Sequence, residues 1–108
     1  VITAEDPRTE TLDAILTETA EALKLAGKIE GRDYVRIRDR QRAIMHAIEV
    51  AGPGDVVMVC GKGHEQSMCF GTVEHPWRDQ DALRWALDRL LGRRIEPVPP
   101  FILPTWQS

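Results

Sequence analysis

Val56-Val57-Met58-Val59-Cys60 is apolar at every position and bounded by Gly52-Pro53-Gly54-Asp55 on one side and Gly61 on the other. A run this short cannot cross a bilayer. An amphipathic surface strand would alternate, so an unbroken apolar run predicts a strand buried on both faces of a mainly parallel sheet. Parallel strands need crossover connections, and the rest of the chain supplies helical patterns at the right places.

Thr9 can cap a helix over 10–26, because Leu12, Ile15, Leu16, Ala20 and Leu23 share one face, and Gly27 supplies the stop. Residues 34–37 read as a short strand. Asp39 then caps a second helix with the apolar stripe Ala43, Ile44, Ala47, Ile48 and Ala51. Residues 67–72 suit a further strand, and Asp79 can cap a third helix carrying Leu83, Ala86, Leu87, Leu90 and Leu91, which Gly92 ends. Val1-Ile2-Thr3 reads as the end of a strand with no preceding turn or cap. The order β-α-β-α-β-(β)-α predicts a Rossmann-like, doubly wound α/β sheet with helices on both faces, its first strand–helix unit lying outside this sequence. The expected division is one domain over 1–92 and a proline-rich tail over 93–108, where prolines at 97, 99, 100 and 104 exclude regular structure. That tail is expected to be extended, either packed across the domain or loose.

With 108 residues there is material for one hydrophobic core, and a net charge of -3 offers no broad basic field for nucleic acid. The arginines at 36, 38, 40 and 42 are interrupted by Asp33 and Asp39, and read as solvated surface. No charged leader followed by an apolar core opens the sequence, and neither secretion nor a membrane is expected. Cys60 and Cys69 lack CxxC spacing and are expected to be two buried, reduced thiols of a cytoplasmic protein.

Two loops leave strands at the carboxyl edge, where open parallel sheets bind ligands. They are Glu5-Asp6-Pro7-Arg8 and Gly61-Lys62-Gly63-His64-Glu65. Together they carry carboxylates at Glu5, Asp6 and Glu65 and cations at Arg8 and Lys62. A zwitterionic amino acid needs such a mixture: a guanidinium grips its carboxylate and a carboxylate its ammonium. Gly61 and Gly63 permit close backbone approach. By residue type alone, Asp6-Pro7 serves equally well as a plain turn into a helix. The GKG run is not a phosphate loop, because Lys62 is followed by Gly63 and Val56 stands where the first Walker glycine belongs. His64 and Glu65 lack HExxH spacing, so no metal site is expected. His46 and His75 read as ordinary, and Trp77, Trp85 and Trp106 as core or tail anchors.

Taken together, the 3–10 run TAEDPRTE, Asp39-Arg40 with Ala43-Ile44, Pro53-Gly54-Asp55-Val56-Val57 and the GKGHE run at 61–65 resemble the C-terminal domain of the Mur ligases, above all their tripeptide-synthetase branch. The resemblance implies a domain that closes over a central ATP-binding domain. It implies an activity in which ATP and magnesium, bound mainly by that central domain, turn a carboxylate of a UDP-linked muramoyl dipeptide into an acyl phosphate. The amino group of a diamino acid (L-lysine, L-ornithine or meso-diaminopimelate) then attacks, in peptidoglycan synthesis. The C-terminal domain mainly holds that amino acid, and the implied contacts map onto Arg8, Gly61 and Glu65, with Glu5 and Asp6 beside them. Lys62 and His64 share the motif without a definite role. No catalytic residue, cofactor site or metal site is expected in this stretch, and alone it is expected to be inactive. Diaminopimelate-adding members typically read DNPR where this chain reads Glu5-Asp6-Pro7-Arg8. An ionised Asp6 would repel a distal carboxylate, and this favours a diamino acid with a single carboxylate. The competing readings are a cyanophycin- or folylpolyglutamate-type ligase domain and a stand-alone small-molecule-binding module, though no GxGxxG follows a strand.

Overall fold

The computed structural model describes residues 1–94 and 96–107. Its first helix, α1, spans Leu12–Leu25 and buries Leu12, Leu16 and Ala20, one residue per turn on a single face. It starts later than the cap at Thr9 predicts, because residues 7–10 are spent in a turn closed by Glu10 N–H to the Pro7 carbonyl at 3.0 Å. Thr11 is the N-cap and makes no side-chain cap bond. Gly27, at φ +82°, ends the helix as expected.

Helix α2, Arg40–Val50, is capped by Asp39, whose carboxylate accepts the Arg42 N–H at 3.0 Å. It buries Ala43, Ile44 and Ile48. Helix α3, Asp79–Leu90, packs against α2. Its N-cap is Arg78 rather than Asp79, whose carboxylate has other partners. The buried face of α3 is Ala82, Trp85 and Ala86, while Leu87, Leu90 and Leu91 are exposed, so the leucine stripe does not define the core side.

The sheet departs from expectation. Two strands, β1 (Ser67–Phe70) and β2 (Val73–Pro76), pair antiparallel with Met68 opposite His75, and Gly71 at φ +64° makes the turn. Parallel pairing is confined to isolated bridges, Ile2 with Arg36 and Arg8 with Phe70 among them. Residues 56–60 form no strand. Val56 is 86% and Met58 79% exposed, while Val57 and Val59 are half-buried, so the run is covered on one side and not both. The doubly wound parallel sheet is therefore not formed among the described residues. The reason is a missing neighbour: residues 1–3 bond on one edge to 35–37, and a groove of about 680 Å³ lined by Ile2, Leu16, Ile44, Val57 and Val59 separates them from 57–60. Paired strands lie about 4.8 Å apart, so two extended segments across a groove cannot bond each other.

The core gathers Leu12, Leu16, Ile44, Met68, Trp77 and Leu103. Leu103 comes from the tail, which lies across the start of α2. There Thr105 donates to Asp39 at 2.7 Å, Arg42 donates to the Trp106 carbonyl at 3.0 Å, and the Arg42 guanidinium sits 4.1 Å from the centre of the Trp106 ring. Two further expectations are corrected. Arg40 is buried rather than solvated, since it has an anionic partner inside. Both cysteines are free, but only Cys69 is buried; Cys60 is exposed because its segment lacks a neighbour on one side.

Candidate functional site

The two charged loops are brought together, and buried side chains fix both. The first leaves residues 1–4 at Ala4, fully buried, whose carbonyl accepts from Arg40 Nη1 at 3.0 Å. The second leaves 56–60 at Cys60, whose carbonyl accepts from Arg40 Nη2 at 2.8 Å. Arg40 is held in turn by Asp79 through two bonds of 2.8 and 2.9 Å, and Trp77 Nε1 donates to the same carboxylate at 2.7 Å. One guanidinium thus ties the last carbonyl before each loop to the first turn of α3. Gln80 in that turn adds a 2.7 Å bond to the Gly63 carbonyl.

Within the site, Lys62 is buried and its ammonium bridges the loops, donating to Asp6 Oδ2 at 2.9 Å and to Glu65 Oε2. Asp6 Oδ1 accepts the Cys69 N–H at 2.8 Å, so both of its oxygens are engaged. Burial pushes the Asp6 carboxyl up, but the Cys69 N–H, the Lys62 ammonium and the Arg8 charge outweigh this and hold it below its ordinary value. Burial likewise pushes the Lys62 ammonium down, and bonds to Glu65 and Asp6 overcome it, leaving the group raised. Both therefore stay charged at neutral pH.

Arg8 adopts φ +53°, the sole non-glycine residue in the left-handed region among those described. Its backbone is pinned there by bonds to the Cys69 carbonyl and from the Gly71 N–H, at 3.1 and 2.6 Å. Strain of this kind persists only where surroundings impose it, and often marks a functional position. Its guanidinium is exposed and has no side-chain partner among the described residues. Gly61 sits at φ +99° with the Glu5 carboxylate against it, so close that a Cβ would lie 2.7 Å from Glu5 Cδ. Glycine is required here on both counts.

The arrangement leaves three groups for a ligand: the Arg8 guanidinium, the exposed Glu5 carboxylate and the second oxygen of the half-exposed Glu65. These suit a carboxylate and an ammonium on one molecule. Asp6 is instead turned inward, and its charge is compensated. His64 is exposed, with no bond or ion pair among the described residues. His46 lies on α2 and His75 on β2, where its ring meets Phe70 edge-on at 5.7 Å between centroids. Among the described residues no three histidines, cysteines or carboxylates are grouped to hold a metal ion.

Sequence reasoning missed Arg40, Asp79 and Gln80. A signal was present. Arg40 is the first residue of α2, where the helix dipole disfavours a cation, so a positive charge there calls for a buried anion nearby.

Helices flank a small two-stranded sheet, and two charged loops interlock through Lys62. Residues 1–63 match the family described as Mur ligase, glutamate ligase domain, and the chain belongs to that family. It is 42% identical over 90 residues to the UDP-N-acetylmuramyl-tripeptide synthetase of Roseiflexus sp. (strain RS-1), covering 83% of this chain and 18% of that protein. It is 41% identical over 87 residues to the UDP-N-acetylmuramoyl-L-alanyl-D-glutamate--2,6-diaminopimelate ligase of Alkalilimnicola ehrlichii, covering 81% and 16%. The ligase of that name from Agrobacterium fabrum is 37% identical over 95 residues, covering 88% and 18%. The chain thus spans less than a fifth of the length of these relatives. No helix is long and apolar enough to cross a membrane among the described residues.

Proposed function

We propose that this chain is the amino-acid-holding part of a cytoplasmic ATP-dependent amide ligase that adds a diamino acid to UDP-N-acetylmuramoyl-L-alanyl-D-glutamate. The carrying observation is the interlocked loop pair: Lys62 ties Asp6 to Glu65, while Arg8 has no side-chain partner among the described residues. In this reading Arg8 takes the carboxylate at the far end of the amino acid or its counterpart. Glu65, with Glu5, takes an ammonium, and Gly61 lets the ligand lie against the backbone. The chain's residues orient the nucleophile; activation of the carboxylate belongs elsewhere. The Gly-Lys-Gly run lacks phosphate-loop spacing, so no step through ATP or magnesium is assigned to this chain's residues.

The names of the relatives favour this branch over cyanophycin or folylpolyglutamate synthesis. They do not bear on lysine, ornithine and diaminopimelate alike, and the argument from Asp6 against a distal carboxylate loses its premise, since Lys62 and the Cys69 N–H compensate that charge. Residues 1–92 form the holding unit in this proposal and 93–108 its tail. A doubly wound sheet would be completed by a strand from elsewhere in the polypeptide lying in the groove between residues 1–3 and 57–60, which Val57, Met58 and Val59 line.

The test is Glu65→Gln in the full-length ligase. Losing a charge-assisted bond worth about 1.5–3 kcal/mol should raise KM for the diamino acid roughly tenfold or more. KM for ATP should stay put. A rise in the ATP value with the amino-acid value unchanged refutes the assignment.

A further inference from the structure

We infer that Lys62 is a positioning residue of the amino-acid site, locking Asp6 and Glu65 into one unit and thereby aiming the free oxygen of Glu65. The inference rests on the functional reading above and assigns a role to the one charged group of the GKGHE motif that contacts no ligand in that reading.

The side chain of Lys62 is 2% exposed, and an ammonium removed from water needs anionic partners to remain charged. It has two, from loops far apart in sequence: Asp6, 56 residues away, and Glu65, three residues on. The two partners are held unequally. Asp6 is also fixed by the Cys69 N–H, whereas no other hydrogen bond to Glu65 exists among the described residues. Glu65 is therefore the partner whose position depends on Lys62. Its side chain is 46% exposed on a loop, where a free glutamate would sample many rotamers. The bond to Oε2 selects one of them and leaves Oε1 to accept from a ligand.

Lys62 has a second effect. By occupying Asp6 Oδ2 it removes Asp6 from competition for the ligand's ammonium, so that of the three carboxylates in the two loops Glu65 and Glu5 keep free oxygens.

The experiment uses the full-length ligase, with Lys62→Met and the pair Lys62→Met/Asp6→Asn, read by thermal midpoint and by separate KM values for the diamino acid and ATP. Lys62→Met should lower the midpoint and raise the amino-acid KM tenfold or more, with KM for ATP within twofold of wild type. The pair should recover much of the lost midpoint, because Asp6 is no longer an uncompensated anion. It should not recover the amino-acid KM, because Glu65 still lacks its anchor. Should Lys62→Met fail to fold, the pair carries the same test. A pair that binds the amino acid as wild type does would reduce Lys62 to a counter-charge for Asp6 and overturn the inference. So would a Lys62→Met protein that loses stability but keeps its amino-acid KM. A wild type that couples none of lysine, ornithine and meso-diaminopimelate overturns the functional reading first. A wild type that couples one of them while Lys62→Met keeps the same KM overturns this inference alone.

Discussion

Replacing Asp79 with asparagine should be among the most damaging single changes in this chain. Arg40 and Asp79 have side chains only 4% and 6% exposed and meet through two bonds, with Trp77 Nε1 as a third donor to the carboxylate. Asparagine keeps one oxygen for those donors and presents an amide N–H₂ where the second oxygen stood. The buried guanidinium then loses its counter-charge, a change that typically costs about 3–5 kcal/mol. Arg40 retains the carbonyls of Ala4 and Cys60, which favours the lower end, about 3 kcal/mol. Domains of this size are stable by about 5–15 kcal/mol, so the variant should fold but sit near its limit. At about 4–8 °C per kcal/mol the thermal midpoint should fall by roughly 12–24 °C. Circular dichroism gives the midpoint, and tryptophan fluorescence followed in urea gives the free energy. The double change Arg40→Met/Asp79→Leu should cost less than the two single changes added together, because it leaves no unpaired charge. A cost below about 1 kcal/mol for Asp79→Asn, or strict additivity in the cycle, would refute the reasoning.

Stability should also fall on both pH flanks through the pair at the site. The folded-state pKa of Asp6 is lowered, so its contribution is present above the unfolded value of about 4 and is lost as pH falls through the folded one. That of Lys62 is raised, so its contribution holds below about 10.4 and is lost as pH rises beyond it. Thermal midpoints across pH should show both limbs, and Asp6→Asn should flatten the acid one; an unchanged acid limb counts against the Asp6–Lys62 bond. Gly61→Ala should destabilise the chain by about 1–2 kcal/mol, from an L-residue forced to positive φ, and should displace the Glu5 carboxylate. Adding Glu5→Ala should relieve the clash but not the backbone cost, so a full recovery in the double variant would show that the φ value is not as found.

What could be read from sequence was what is local. Asp39 and the Ala43, Ile44, Ile48 face specify α2 through neighbours within two turns, and the structure has both. The start of α1 was displaced because Thr9 lies in the turn that pins Arg8, a tertiary demand that overrides a cap preference. For residues 56–60, an unbroken apolar run speaks for burial on two faces but does not say what supplies the second face, and here one face is open. At the site, Asp6, Lys62 and Glu65 could be picked out by residue type. Their pairing with one another could not, because five charged side chains in two loops allow many pairings and only the fold selects one. Arg40 was misplaced among its alternating neighbours for the same reason: its partner Asp79 is 39 residues away.

The placement of these charges shows what the interior polar groups are for. A buried ion pair is seldom more stabilising than apolar side chains of the same volume, so Arg40–Asp79 is poorly explained as a stability device. Its geometry offers a better explanation. A leucine or methionine at position 40 could fill the space but could not hold two backbone carbonyls, and Ala4 and Cys60 are the last residues before the two charged loops. Lys62 repeats the arrangement, using a buried cation to hold side chains where Arg40 holds backbone. The exposed Arg8, Glu5 and Glu65 are then the charged groups of the two loops left with free bonding capacity among the described residues. Each stands on a loop whose base is tied to the first turn of α3 through Arg40 and Gln80. Loops are ordinarily the most mobile part of a domain, and a site built on them recognises a small zwitterion only if the spacing between its cation and its anion is fixed. On the proposed amino-acid-holding role, Arg40 and Lys62 help fix that spacing, so changes at Arg40 or Asp79 should disturb amino-acid binding as well as stability.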